Sequence, residues 1–457
     1  MASTYLSRST NSGSTGTKWT FSAWVKRAGT GENNCIWNQS NDANNTTYNE
    51  VAIKSANELD VQIRNGTSGD NGTYIRRRTS RLFRDCNAFY HIVVRYDSTN
   101  STAGDRLRLY VNGVQETSMQ ESVGTVPQNQ VTVMATSGAD QTFGRGVGSS
   151  NHYWNGVISH AHLCDGYSYA PSEFGETDST TGEWKIKTSP SVSYGTNGWW
   201  ILKDGNSVTD SSPNSNAFSV TAGTLTKTED NPSNVFATVS AVIGNHSNGN
   251  ALQPTLENAN TVSVYGSGEW RIAQSTLGAS SGKYYAEIKW IEDANTRYSY
   301  IGLYDVDGYA EKISGYPYMA DMANCYGLKD SNGNINSGAS STSYGVSYST
   351  GNIIGVAMDL DNNKLYFSKD GVWMNSANPS NGTGGYSITA NKTYVIGIQQ
   401  YAVGYLRFAH NYGNGYFQTT EITTNTGTGY QDADGNGRFY YAVPTNFRCL
   451  STKGLNQ

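Results

Sequence analysis

Three carboxylates stand close together at Glu287, Glu292 and Asp293, in the stretch AEIKWIED. A retaining glycoside hydrolase needs two carboxyl groups about 5 Å apart, one as nucleophile and one as acid and base. Side chains alternate between the two faces of a strand, so a spacing of five residues sends Glu287 and Glu292 to opposite faces. Asp359 and Asp361 share a face only at a turn. The sequence therefore predicts no catalytic carboxylate pair, and we expect that the protein is not an enzyme.

Two histidines, His160 and His162, lie two positions apart in SHAHLCD. On a regular strand this spacing places both imidazoles on one face, where a pair of them can hold zinc. No third ligand is evident, and histidines at a surface or an interface are the alternative. The sequence also contains no phosphate-binding loop and no nucleophile elbow of the Ser-His-Asp type.

The candidate metal ligands are Asp432, Asp434 and Asn436 in DADGNGR, a spacing that resembles the start of a calcium loop. An EF-hand requires a bidentate Glu at its twelfth position, and Val443 stands there, so an EF-hand is excluded. The remaining alternatives are a simple turn at a hairpin tip and another kind of Ca²⁺ site. We predict no organic cofactor, and Ca²⁺ is the one ion that we retain as a candidate.

Tyrosine supplies the candidate ligand-binding residues. Tyrosine rings stack on apolar faces of sugars and their hydroxyls form hydrogen bonds, and the same properties suit protein interfaces. The predicted binding residues are Tyr298, Tyr309, Tyr316 and Tyr318. The sequence does not decide between a sugar and a neighbouring subunit as the partner.

The composition predicts an all-β protein that positions these residues on strands and turns. The 457 residues include 32 Tyr, 10 Trp and 50 Gly, and only 15% of the residues are charged. β-Branched and aromatic residues favour strands, whereas Gly, Asn, Asp and Ser favour turns. KWTFSAWVKRA alternates with a period of two, with Trp19, Phe21, Ala23 and Val25 on the buried side. Asn112-Gly113 is a strong hairpin signal.

A second hairpin is predicted in GNIIGVAMDLDNNKLYFSKDGVW, residues 351–373, with the turn at 361–363. We expect its apolar side chains to pack inside a sandwich, namely Ile353, Val356, Met358, Leu365 and Phe367.

The net charge limits the classes of partner that we expect, and the cysteines indicate the redox state of the protein. A net charge of −5 disfavours nucleic acid as a partner, and no run is apolar enough for membrane insertion. One basic cluster, formed by Arg76, Arg77, Arg78, Arg81 and Arg84, is either a solvated face or a patch for an anionic polysaccharide or a subunit. The five cysteines show no CxxC spacing, and the N-terminal residues lack the apolar core of a signal peptide, so we expect reduced thiols and synthesis in the cytoplasm.

Several motifs resemble known modules. FSAWVKR, LRLYVNGV and YWNGVISHAHLCDGY, in that order, resemble a laminin-G-like jelly roll of the concanavalin A-like lectin/glucanase class. The hairpin at 351–373, with KYYAEIKW and YIGLYD before it, resembles a SPRY domain. We therefore predict two tandem antiparallel β-sandwiches, with a laminin-G-like sandwich at 1–190, a partly ordered connection at 191–245, a SPRY-like sandwich at 246–420 and a hairpin appendage at 421–457.

This order of modules is similar to virion structural proteins of tailed bacteriophages. The resemblance implies a tail-fibre, tail-associated or capsid-decorating subunit, assembled in the host cytoplasm and exposed on the particle. Its implied partners are other virion proteins, further copies of the chain and host cell-surface polysaccharide. A virion-associated polysaccharide depolymerase and a purely architectural subunit are the alternatives.

Overall fold

The computed structural model describes residues 4–41, 46–66, 73–146, 152–203, 207–240, 254–266, 268, 270–293, 296–307, 322–423 and 429–456. The chain divides into unit 1, residues 1–227 and 231–233, and unit 2, residues 228–230 and 234–457. The regular structure of both units is almost entirely β-strand, in largely antiparallel sheets, which confirms the all-β prediction. No helix among the described residues has the length and apolar character needed to cross a bilayer.

Unit 1 contains sixteen named strands in its described residues. They are β1 (Tyr5–Ser9), β2 (Lys18–Arg27), β3 (Asn34–Ser40), β4 (Thr47–Ile53), β5 (Glu58–Asn65), β6 (Thr73–Leu82), β7 (Tyr90–Asp97), β8 (Leu107–Val111), β9 (Val114–Gln115), β10 (Met119–Val123), β11 (Asp140–Phe143), β12 (Gly156–Asp165), β13 (Gly175–Thr177), β14 (Trp184–Ile186), β15 (Trp199–Ile201) and β16 (Ser219–Ala222). Short 3-10 turns occur at Ala103–Asp105, Val133–Ala135 and Pro171–Glu173.

Most strands of unit 1 form two large sheets, in the orders β10-β6-β5-β4-β3-β11-β1-β16 and β15-β12-β2-β7-β8-β9, and β13 and β14 form a separate two-stranded sheet. The core contains Trp19, Phe21, Ala23 and Val25, as the alternation in the sequence predicts. The Asn112-Gly113 hairpin is also confirmed, since Val111 pairs with Val114 across it. Both turn residues have positive φ, 48° and 79°, the combination that a two-residue type I′ turn requires.

Unit 2 contains seventeen named strands and one short helix in its described residues. The strands are β17 (Thr255–Glu257), β18 (Val262–Tyr265), β19 (Trp270–Ala279), β20 (Lys283–Glu292), β21 (Thr296–Asp305), β22 (Tyr326–Lys329), β23 (Asn334–Ser337), β24 (Ser340–Ser343), β25 (Ile353–Asp359), β26 (Lys364–Lys369), β27 (Val372–Trp373), β28 (Tyr386–Ser387), β29 (Tyr394–Val403), β30 (Leu406–Asn411), β31 (Tyr416–Phe417), β32 (Thr420–Glu421) and β33 (Arg448–Cys449). The helix is α1 (Thr452–Leu455), and 3-10 turns occur at Met374–Ser376 and Pro379–Asn381.

Unit 2 also has two large sheets. One has the order β17-β18-β30-β20-β25-β26-β27, with β28 beside β26 and β33 beside β20, and the other has the order β19-β29-β21-β22-β23-β24. The hairpin predicted at 351–373 is present as β25, β26 and β27. Four of its five predicted core residues lie in the main core, and they are Val356, Met358, Leu365 and Phe367. Ile353 is buried elsewhere, on the outer face of the sheet against Phe417 and Ile422.

Two segments that the sequence assigned to a connection and an appendage contain paired strands. In 191–245, β15 pairs with β12 and β16 pairs with β1, so both strands extend sheets of unit 1. In 421–457, β33 pairs in parallel with Tyr284 and Tyr285 of β20. Phe439 and Phe447 are completely buried beside it. These strands are two to four residues long, too short for a period to be visible in the sequence.

Candidate functional site

An aromatic surface forms on the outer face of the six-stranded sheet of unit 2. Tyr401 on the central strand β29 lies directly opposite Trp270 of β19 on one side and Tyr298 of β21 on the other. Residues opposite each other in a ladder project to the same face, so the three rings form a row across three strands. Tyr300 follows Tyr298 on that face because side chains alternate along the strand. We call Trp270, Tyr298, Tyr300 and Tyr401 the aromatic patch.

The rings of the patch contact one another and remain accessible to solvent. The Trp270 ring centroid lies 6.0 Å from that of Tyr298, 5.9 Å from that of Tyr300 and 5.6 Å from that of Tyr401. Tyr298 is 46% exposed, and the other three rings are partly buried. Val403, next on the same face after Tyr401, is 50% exposed. The patch is thus an uncharged aromatic surface held on rigid strands.

At its other end, the same face of the sheet is covered and buried from solvent. There Ile272, Tyr304, Met322, Cys325 and Val395 form a separate buried cluster, with Tyr300 partly buried against it. The patch is therefore the solvent-facing part of a longer apolar stripe.

Of the four tyrosines predicted to bind a ligand, one lies in the described part of the chain. Tyr298 lies in the patch, whereas Tyr309, Tyr316 and Tyr318 lie outside the described residues. The sequence reasoning missed Trp270 and Tyr401 because the pairing of β19, β29 and β21 joins positions more than a hundred residues apart. Their alternation with buried neighbours was the only signal available in the sequence.

The predicted calcium ligands form a hydrogen-bonded turn. Asp432 Oδ1 accepts the N–H groups of Asp434 and Asn436, at 3.0 and 2.8 Å. Its Oδ2 accepts the N–H of Cys449 at 2.9 Å, and the carboxylate of Asp434 pairs with Arg448 at 2.6 Å. Because N–H donors and a guanidinium occupy these oxygens, the arrangement does not fit a cation. The described residues contain no group of three His, Cys, Asp or Glu side chains that could hold a metal.

The basic cluster is largely neutralised within unit 1. Arg76 and Arg78 both pair with the fully buried Asp60, at 2.5 and 3.3 Å, and with Glu121. Arg77 donates to three backbone carbonyls, and Arg81 pairs with Glu116 at 2.5 Å. Arg84 is exposed. These pairings favour a structural role for the cluster over a patch for anions.

Glu287 is completely buried on β20, and its carboxylate anchors the C-terminal segment. Its two oxygens accept the N–H groups of Tyr440 and Tyr441, both at 2.8 Å. Asn411 donates from its side chain at 3.1 Å and Tyr285 from its hydroxyl at 3.2 Å. Burial raises the pKa of Glu287 from its ordinary value of 4.5 to about 7, although these donors oppose the shift. Glu292 is exposed, so the two carboxylates do not form a pair.

A buried Ser–His pair occurs in unit 1, with Ser22 Oγ 2.8 Å from His91 Nε2. Trp184 Nε1 lies 3.0 Å from the other ring nitrogen, Nδ1. An indole N–H can only donate, so Nδ1 accepts and Nε2 carries the proton. His91 therefore donates to Ser22 and cannot act as its base. Burial also lowers the pKa of His91 to about 3, which keeps the ring neutral.

The zinc alternative for His160 and His162 depends on a regular strand, and β12 is irregular at that point. Its register shifts between Ser159 and His162, and His160 has a φ of +46°. His160 Nδ1 contacts Ser159 Oγ at 2.8 Å, and His162 Nδ1 contacts the Tyr194 hydroxyl at 3.0 Å. Each imidazole is thus hydrogen-bonded to a neighbour.

Comparison with solved structures gives matches to β-sandwich proteins. The SPRY domain of human HERC1 is 16% identical, with a TM-score of 0.27, covering 34% of this chain and 91% of that domain. A SAP-like pentraxin from Limulus polyphemus is 15% identical, with a TM-score of 0.26, covering 37% of this chain and 72% of the pentraxin. The CBM40 of Ruminococcus gnavus IT-sialidase, solved with α2,3-sialyllactose, is 15% identical with a TM-score of 0.24, covering 31% of this chain and 71% of the module.

A comparison with curated proteins gives no match. Residues 2–173 match the family profile of the concanavalin A-like lectin/glucanases superfamily, Laminin_G_3. The matched range runs from just before β1 to the turn after β12, and so includes most strands of the two large sheets of unit 1. This part of unit 1 is therefore similar to the laminin-G-like domains of the concanavalin A-like lectin/glucanase superfamily.

Proposed function

We propose that this protein is a non-enzymatic recognition subunit of a tailed-bacteriophage particle, which binds neutral glycans of the host surface through the aromatic patch. The observation that carries the proposal is the row of Trp270, Tyr401 and Tyr298 across three strands. The rings present apolar surface, and the tyrosine hydroxyls add hydrogen-bonding groups. Strands hold a binding site more rigidly than loops do, so little conformational entropy is lost on binding.

The charge of the patch supports a neutral ligand. None of its four side chains carries a charge at neutral pH, so attraction to an acidic sugar has no source within the patch itself. We expect binding by stacking to be insensitive to added salt, because screening acts on charges.

The contacts of the candidate catalytic groups support a non-enzymatic role. Glu287 is committed to backbone N–H donors, and Ser22 is an acceptor rather than an activated nucleophile. The virion assignment rests on the similarity of the module order to phage structural proteins. On a particle, many copies would bind together, and linked weak sites gain affinity through effective concentration.

The test is a glycan array probed with the purified protein and with Trp270→Ala and Tyr401→Ala variants. Binding to neutral host polysaccharides that both substitutions abolish supports the proposal. Release of reducing ends from host capsule, abolished by a single Asp or Glu substitution, would instead establish a depolymerase. If phage particles carrying the substitutions adsorb normally but lose physical stability, the role is architectural.

A further inference from the structure

A groove lies on the outer face of the other large sheet of unit 2, so it is separate from the aromatic patch. Its volume is about 220 Å³, and its lining includes Lys289, Ile291, Phe417, Thr420, Glu421 and Tyr440. The floor is β20, one wall is the hairpin of β31 and β32, and the other includes Tyr440. Glu287 fixes this second wall through its bond to the Tyr440 N–H.

The groove contains one positive charge, that of Lys289, for which the described residues supply no counter-charge. In the described part of the chain, no carboxylate lies within ion-pair distance of Lys289, whose ammonium lies 5.6 Å from the Phe417 ring centroid. By contrast, Glu421 is already paired with Arg438, which also pairs with Glu229 at 3.1 Å. A half-buried ammonium without a counter-charge is complementary to an anionic group from outside.

The other lining groups restrict the shape of that anion. Ile291 supplies apolar surface, and the Tyr440 ring is 39% exposed, whereas Phe417 is only 6% exposed and lies beneath the Lys289 ammonium. Thr420 and the carboxylate of Glu421 can hydrogen-bond to hydroxyl groups. A ring with one apolar face, several hydroxyls and one carboxylate satisfies all of these groups together. A bare carboxylate would use only Lys289.

We propose that this groove binds a hexuronic acid residue of an acidic polysaccharide, with its carboxylate on the Lys289 ammonium and the apolar face of its ring against Tyr440. The groove would give unit 2 a second saccharide site with a different charge preference from that of the aromatic patch.

The test is calorimetric titration of the full chain with D-glucuronate, D-glucose and acetate. Glucuronate should bind at least about tenfold more tightly than either of the others, because glucose lacks the carboxylate that pairs with Lys289 and acetate lacks the ring and its hydroxyl groups. Added salt should weaken its binding. Lys289→Gln and Tyr440→Ala should each reduce the affinity for glucuronate by about tenfold or more.

The matched control is Lys364→Gln, which removes a lysine from β26 of the same sheet, outside the groove, and should leave the affinity unchanged. Hydrogen exchange of the wild-type chain gives an answer even if a variant fails to fold, because glucuronate should protect backbone amides in 417–423 and around Tyr440. Equal binding of acetate, unchanged affinity in Lys289→Gln, or protection elsewhere in the chain overturns the proposal. The effect of Lys289→Gln and the position of the protected amides do not depend on whether the aromatic patch binds neutral glycans.

Discussion

Trp270 and Tyr298 lie on strands that are not hydrogen-bonded to each other, yet their rings stack with centroids 6.0 Å apart. Tyr401 on the strand between them makes this possible, because it is directly opposite both residues in the ladder. The aromatic patch therefore depends on the register of three strands as well as on the identity of its residues.

Removing a ring from the patch should weaken glycan binding more than it weakens the fold. Trp270→Ala should lower the affinity by roughly 2 kcal/mol, about thirtyfold, which is typical of a central aromatic contact. Tyr298→Ala should also reduce affinity, with little loss of stability because its ring is 46% exposed. Isothermal titration and thermal unfolding of each variant measure the two effects. Tyr430→Ala, which removes an exposed ring elsewhere in unit 2, is the control, and an equal loss of binding in it would contradict the assignment.

The buried Glu287 should make the stability of unit 2 depend on pH. Its pKa is about 7 in the folded state and 4.5 ordinarily, so folding favours the protonated form. The stabilisation is fully present below about pH 4.5 and is lost as the pH rises through 7, by roughly 3 kcal/mol in total. Urea unfolding between pH 4 and 8 measures it.

The matched variant for this measurement is Glu287→Gln, which has no ionisation in this range and should lack this part of the pH dependence. It should also be less stable at low pH, because one of the two N–H donors of residues 440 and 441 would face an amide NH₂ group. If the free energy of unfolding of the wild type and of the variant changed equally with pH, Glu287 would not titrate as described.

The turn at Asp432 should be important for stability without any metal. Asp432→Ala leaves three backbone N–H groups without their acceptor, so it should lower the free energy of unfolding by about 2–4 kcal/mol. Adding Ca²⁺ or a chelator should leave the melting temperature of the wild type unchanged. Asp307→Ala, at an exposed carboxylate, should change stability by less than about 0.5 kcal/mol. A lower melting temperature in the presence of chelator would restore the calcium hypothesis.

Gly113 should tolerate no side chain. Its φ is +79°, and an added Cβ would lie 2.5 Å from the Trp184 ring, which packs over the turn. Gly113→Ala should therefore destabilise unit 1 by at least about 2 kcal/mol, through backbone strain and the displaced indole. Gly104 has no atom within 4 Å of such a Cβ, so Gly104→Ala is the control and should be nearly neutral. Similar melting temperatures for both variants would contradict this reading of the turn.

Local patterns predicted much of the fold. The alternation in β2 identified four core residues, and Asn112-Gly113 identified its hairpin, because both signals come from neighbouring positions. The sheet positions of the short strands β15, β16 and β33 were not predicted, since two to four residues cannot show a period. Their place in the sheets depends on partners far along the chain.

The site was predictable only in part for the same reason. Tyr298 was identified because several tyrosines are close together in that part of the sequence. Trp270 and Tyr401 lie beside it only because their strands pair in the sheet. The sequence indicated Glu287 only as a candidate catalytic carboxylate. Its structural role depends on Tyr440 and Tyr441, whose N–H groups it accepts and which follow it by about 150 positions. The paired-histidine prediction depended on regular alternation, which the bulge in β12 interrupts.

The parallel pairing of β33 with β20 has a consequence for synthesis on the ribosome. Arg448 and Cys449 complete a sheet whose neighbouring strand was translated more than 150 residues earlier. Until they emerge from the exit tunnel, Tyr285 cannot obtain its full set of neighbours. We therefore expect nascent chains stopped before residue 447 to expose this apolar surface and to recruit chaperones, whereas unit 1 can mature while unit 2 is still being translated.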